Sequence, residues 1–248
     1  MQNMPAHLFR TRRLLAVVLI LGLVSSLLGC AGLGRRSGET AQTGAEESAK
    51  GLAYYHFLQA QQFLLADDGP GAIREYEEAL KEDPNSARME LELASLYQRQ
   101  GDIKKALGHV EKSIKLDPKQ QEAYFLLAGL HVGLNQLEEA IQEYEHILAL
   151  DPDNREARLF LATLYAQQRR FPKAIHTIQE ILRLEPNSVV GHYYLGRFYI
   201  ETDQLGEEKK ELSRTLTLDP RFVPAMFDLA VALEKEKQYR RGPGRTRD

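Results

Sequence analysis

The sequence predicts an all-α fold built as a solenoid of antiparallel helix pairs, and two sets of recurring residues predict it. The first is the prolines: Pro84, Pro118, Pro152, Pro186 and Pro220 stand 34 residues apart, and each follows an acid, Asp83, Asp117, Asp151, Glu185 or Asp219. Proline lacks an N–H and clashes with the preceding turn, so each one closes a helix. The second is the small residues. Ala60, Ala94, Ala128, Ala162, Gly196 and Ala230 occupy one equivalent position, and Ala72, Ala106, Ala140 and Ala174 a second, twelve residues later. A fixed period of this length marks a repeat architecture, and no other reading of the chain takes precedence over it.

Each element follows in order. Ser86, Asn154 and Ser188 lie just behind prolines and suit the N-cap of the next helix. The unit is therefore helix, turn, helix, stop. Small side chains at the two recurring positions let the helices of a pair approach closely, while Leu93, Leu127, Leu161, Leu195 and Leu229 fill the space beside them. Three residues after the first small position stand Phe63, Tyr97, His131, Tyr165, Tyr199 and Leu233.

Proline, small-residue and ring positions in this phase resemble the tetratricopeptide repeat (TPR). The resemblance covers residues 53–237, as five full repeats starting at 53, 87, 121, 155 and 189 and the first helix of a sixth at 223. It implies a right-handed superhelical solenoid of antiparallel helix pairs whose first helices line a concave groove. The pattern has two departures. Glu208 replaces the second small residue of the fifth repeat, which predicts a looser or shifted pair. The helix from Val223 to about Lys237 is apolar nearly all round and is followed by Arg240-Arg241-Gly242-Pro243-Gly244 in a basic, disordered tail over 238–248. Either a truncated repeat or a covering partner, such as a second copy of the chain, accounts for that apolar helix.

The amino terminus reads separately. Arg10, Arg12 and Arg13 precede an apolar run from Leu14 to Leu28, the pattern of a secretory signal and too short for a confident membrane span. The run ends in Leu27-Leu28-Gly29-Cys30, which resembles the lipobox of bacterial lipoproteins. That resemblance implies cleavage after residue 29, acylation of Cys30 with palmitate-like chains, and, because Ala31 rather than Asp follows, an outer-membrane anchor facing the periplasm. Residues 30–52, rich in Gly, Ala, Ser, Thr and Glu, read as a flexible tether reaching roughly 25 Å.

Composition limits the function. The 248 residues carry 32 Lys+Arg against 35 Asp+Glu, a net charge of −3, and removing the three arginines of residues 1–29 makes it −6. Such a surface repels phosphate backbones, which argues against nucleic acid as a partner. The single cysteine excludes an intramolecular disulfide and any zinc site of paired cysteines. Phosphate-binding loops, His-Glu-x-x-His and nucleophile-elbow motifs are missing, and the one Glu-x-x-His, Glu143 with His146, lacks the second pair a bundle diiron site needs. His131 and His192 read as helix-contact residues. No enzyme activity, metal or cofactor is expected.

The resemblance places the fifth, ninth, twelfth and thirteenth residues of each repeat in the groove. The fifth are Phe57, Leu91, Phe125, Leu159, Tyr193 and Phe227, an apolar ladder, with Val132 and Ile200 at twelfth positions and small residues at several ninth positions. Such a cleft suits a protein or peptide segment. Leu91, Phe125 and Leu159 stand where the carboxylate clamp for chaperone tails needs lysine, which excludes that partner class. Arg197 is the cation placed to hold an acidic group. The expected function is a lipid-anchored interaction scaffold for envelope assembly, pilus biogenesis, secretion or polysaccharide export; the alternative is an accessory subunit of a glycosyltransferase or other envelope enzyme.

Overall fold

The computed structural model describes residues 36–241, with side chains from 47 to 237, and contains eleven helices among them and no strand. The signal segment, Cys30, residues 30–35 of the expected tether and residues 242–248 of the expected tail lie outside the described residues. None of the described helices is long and apolar enough to cross a membrane. The chain divides into two compact units, Met1–Pro84 and Asn85–Asp248.

In the first unit, α1 (Arg36–Leu65) pairs with α2 (Gly69–Glu82). Ala60 and Ala72 are both fully buried, and so is Tyr76. Asp68 caps α2 by accepting from the Gly71 N–H at 2.8 Å. The first helix begins 17 residues before the repeat frame, at Arg36, so the expected tether is helical from that point on. The reason is local: residues 36–52 hold three Ala, three Glu, one Gln and one Lys and no proline, and their three glycines lower helix propensity without stopping the helix. Their missing apolar periodicity removes a packing face without removing helix propensity.

The second unit carries α3 (Ala87–Gln100), α4 (Ile103–Leu116), α5 (Gln121–Gly133), α6 (Leu137–Leu150), α7 (Arg155–Gln167), α8 (Phe171–Leu184), α9 (Val189–Glu201), α10 (Leu205–Leu218) and α11 (Val223–Arg241). Each helix packs on the next in chain order. Ser86, Asn154 and Ser188 accept from the N–H groups of Met89, Ala157 and Gly191 at 3.4, 2.9 and 3.2 Å, and Asp102 does the same for Lys105 at 3.1 Å. Ala94, Ala106, Ala128, Ala140, Ala162 and Ala174 are all fully buried, so the helices of these pairs meet at the small residues.

Two features recur with the repeat. A left-handed residue turns the first helix into the second at Asp67, Gly101, Asn135, Arg169 and Asp203, with φ of 58°, 80°, 59°, 59° and 53°. Gly, Asn and Asp tolerate this region, whereas arginine does so at a cost. A histidine–carboxylate bridge also links the two helices of a pair at the fourth and twenty-third residues. His56 Nδ1 lies 2.7 Å from Glu75 in the first unit; in the second, His109 Nδ1 lies 2.7 Å from Glu90 and His192 Nδ1 2.6 Å from Glu211. Glu90, fully buried, also pairs with Lys112.

The fifth pair is close rather than loose. A Cβ on Gly196 would stand 3.0 Å from Cγ and Cδ2 of Leu212 and 3.4 Å from the Glu208 carbonyl oxygen. Glycine at the first small position thus lets α9 approach Leu212 and the Glu208 backbone on α10, and Glu208 is 2% exposed. The last helix runs to Arg241, so residues 238–241 of the expected tail are helical. On it Ala225 and Ala232 are buried, whereas Ala230 and most of the large apolar residues, Val223, Met226, Phe227, Val231 and Leu233, are exposed.

Candidate functional site

The first helices of the second unit open a succession of three recesses. Between α5 and α7, Phe125, Gly129, Val132, Phe160, Thr163 and Gln167 surround a cavity of about 470 Å³ floored by Tyr144 of α6. Between α7 and α9, Ala166, Arg169, Phe171, Tyr194, Arg197 and Glu201 surround one of about 340 Å³. Between α9 and α11, Arg197, Ile200, Phe227 and Val231 are joined by Glu208 and Asp228 around about 180 Å³. Arg197 lines both of the last two, so they adjoin.

Helical spacing explains this lining. Phe160, Thr163 and Gln167 stand at i, i+3 and i+7 on α7, and Tyr194, Arg197 and Glu201 repeat that spacing on α9, so each trio forms one stripe. The aromatic rungs of the first recess touch one another. Phe125 stands edge-on to Tyr144 and to Phe160 at 5.9 and 6.4 Å, and Tyr144 stacks on Phe160 at 5.3 Å. Burial, with the charge of Glu156 adding, pushes the Tyr144 phenol up to about 12. Phe160 remains 42% exposed and Val132 38%, which leaves apolar surface for a guest.

The expected ladder of fifth residues is only partly present. Phe125, Val132, Ile200 and Phe227 line the recesses. Leu91 does not, because it is 9% exposed and belongs to the core. Leu159 faces a separate open recess of about 590 Å³ with Ile181, Glu185 and Val190, where it packs toward the next repeat. Tyr193 stands tilted against the Phe222 ring at 5.0 Å and edge-on to Tyr194 at 5.6 Å, outside the three recesses. Phe57 belongs to the first unit, where its ring stands edge-on to Tyr76 at 5.9 Å. In the fourth and fifth repeats the groove ring is instead the sixth residue, Phe160 or Tyr194, which the i, i+3, i+7 spacing signals in the sequence.

Arg197 is already engaged: its Nη1 donates to the Tyr193 hydroxyl at 3.2 Å and its Nε lies 3.8 Å from Asp228 Oδ2. The bond to Tyr193 and the neighbouring acids raise its pKa further, so it is a fixed charge. Glu208 is the opposite case. Burial raises its carboxyl above the usual range, and Asp203 adds to this while Lys235 and Lys209 oppose it.

Among the described residues no cluster of three or more His, Cys, Asp or Glu could hold an ion. His146 lies against the Tyr124 ring at 4.2 Å rather than with Glu143 in a ligand set. His131 contacts Gln136 Oε1 at 2.9 Å, and His192 bridges Glu211 and the Pro186 carbonyl, so both serve contacts within the helical framework.

Comparison with known proteins finds the tetratricopeptide repeat at residues 57–120, 91–155 and 133–191, together more than half of the chain. Among solved structures the chain is similar to MamA from Desulfovibrio magneticus RS-1, at 19% identity over 68% of this chain and 96% of that one, with a TM-score of 0.61. It is similar to YrrB, described as a TPR protein with an unusual peptide-binding site, at 19% identity over 75% and 95%, TM-score 0.61. A tetratricopeptide repeat protein from Parabacteroides merdae ATCC 43184 aligns at 18% identity over 76% and 75%, TM-score 0.68. These likenesses are of fold. No curated protein matches the sequence.

Proposed function

The chain belongs to the tetratricopeptide-repeat family, and on that premise we propose that it is a protein-interaction scaffold that captures a segment of a partner protein along the first helices of α5, α7, α9 and α11. The observation that carries the reading is the run of recesses on those helices, with exposed rings at Phe160 and Phe227 and small residues at Gly129, Thr163 and Ala166 between them. Large rungs separated by small ones accept alternate side chains of a guest. Each well-filled apolar side chain contributes roughly 1.5–3 kcal/mol before ordering costs.

The signal-like pattern of the amino terminus and Cys30 support our reading of this scaffold as held by a lipid anchor in a bacterial envelope, at the outer membrane facing the periplasm. There it serves assembly, pilus biogenesis, secretion or polysaccharide export. The supporting residues are those of the lipobox, Leu27-Leu28-Gly29-Cys30.

Two measurements test these statements. A photo-crosslinking residue at position 160 or 132 should trap one partner that the same residue at Lys104, exposed on α4, does not. Equal trapping from all three positions would remove the groove reading. Metabolic labelling with a fatty acid should mark the wild-type chain and not Cys30→Ala; an unlabelled wild type would remove the anchor and leave the groove reading standing.

A further inference from the structure

The recess between α9, α10 and α11 holds an unusual charge. Glu208 stands where the other repeats place Ala72, Ala106, Ala140 and Ala174, is 2% exposed, and lines this recess. Its Oε1 has no hydrogen-bond partner among the described residues, and Asp228 Oδ2, beside it in the same lining, has only the ion contact with Arg197 at 3.8 Å. Isolated buried carboxylates are expensive unless a donor reaches them. Gly196 on the facing helix lacks the Cβ that would stand 3.0 Å from Leu212 and 3.4 Å from the Glu208 carbonyl oxygen, so the backbone that carries Glu208 packs close to α9.

The remaining walls describe the missing donor. Ile200, Phe227 and Val231 give an aliphatic and aromatic lining, which suits the methylene stem of a long charged side chain, and Phe227, 69% exposed, offers a ring face. Three carboxylates, Glu201, Glu208 and Asp228, outnumber the two cations, Arg197 and Lys235, and Arg197 is already held by Tyr193 and Asp228. At about 180 Å³ the recess is below the size that encloses a whole small-molecule ligand, and it suits one side chain.

Resting on the reading of this face as a peptide-binding surface, we propose that the α9–α10–α11 recess is a subsite for a lysine or arginine side chain of the bound segment, with Glu208 as its counter-charge. The apolar recess between α5 and α7 takes hydrophobic side chains of the same segment, so the recognised sequence carries a basic residue at a fixed distance from an apolar or aromatic one.

The test is selection of a phage-displayed random peptide library on the full chain, followed by affinity measurement with the consensus peptide. The expected result is a consensus with Lys or Arg at one position, at least a tenfold loss of affinity when that residue becomes Met, and a similar loss for E208Q. The Met peptide should bind wild type and E208Q alike. If E208Q does not fold, the wild-type affinities for the Lys and Met peptides decide the matter. Apolar consensus peptides with no basic position, or a Met peptide that binds as tightly, would overturn the subsite and leave the groove reading intact. No enriched peptide at all would overturn both.

Discussion

Gly196 on α9 and Leu212 on α10 meet so closely that a Cβ on the glycine would lie 3.0 Å from two carbons of the leucine, which is itself fully buried. Gly196→Ala should therefore destabilise the chain by about 1 kcal/mol, overpacking of roughly 1–3 kcal/mol being partly offset by the 0.5–1 kcal/mol that alanine gains in a helix. Denaturant unfolding measures this, and a variant more stable than wild type would show that the contact relaxes. Ala140→Leu, at a fully buried contact with no glycine opposite, should cost more, roughly 1–3 kcal/mol.

Leu91 and Phe160 separate core from surface among residues of similar chemistry. Leu91→Ala should lower stability by roughly 2–3 kcal/mol, the lower part of the range for a buried leucine. Phe160→Ala removes a half-exposed ring and its stacking on Tyr144, so its cost should stay near about 1 kcal/mol while partner crosslinking from position 132 is lost. Retained crosslinking in Phe160→Ala would take this ring out of the binding face.

Arg169 occupies the left-handed turn position with φ of 59°, where its counterparts are Asp67, Gly101, Asn135 and Asp203. A non-glycine residue there costs roughly 1–2 kcal/mol. Arg169→Gly removes that strain and increases the freedom of the unfolded chain, an effect of roughly 0.4–1 kcal/mol in the other direction. The net expectation is a gain of about 0.5–1 kcal/mol, seen as a higher melting temperature. A fall would mean that the Arg169 side chain makes a stabilising contact larger than the backbone strain.

Alkaline pH should destabilise the second unit through Tyr144 and Tyr165, both pushed up to about 12 from an ordinary value of 10.0. Burial is the main cause in both, with the Glu156 charge adding for Tyr144 and the bond to Glu145 for Tyr165. The unfolded chain loses these protons first. The stability they contribute is thus complete below about pH 10 and disappears as the pH climbs to about 12. Melting curves across that window check the direction, and Tyr144→Phe should lessen the slope. An unchanged slope would assign the effect to other groups.

Much of the helical framework was readable in the chain as written. Prolines 34 residues apart stop helices through their own stereochemistry, and alanines at two recurring positions report contact distance, because the two helices of those pairs meet there. The binding face was less legible. Its ninth, twelfth and thirteenth positions are implied by the resemblance to the family, but whether the fifth or sixth residue supplies the ring depends on how each repeat leans on the next, as Leu159 and Tyr193 demonstrate.

Local rules thus decided where helices start, stop and touch, since capping, proline geometry and side-chain size act over a few residues. Packing between elements decided the rest. It turned Leu91 into core, paired Arg197 with Asp228, and left Glu208 buried beside a glycine twelve positions away without a hydrogen bond at Oε1. Burial and electrostatic partnership belong to pairs of surfaces brought together in space, and a single stretch of chain carries no record of the surface it will meet.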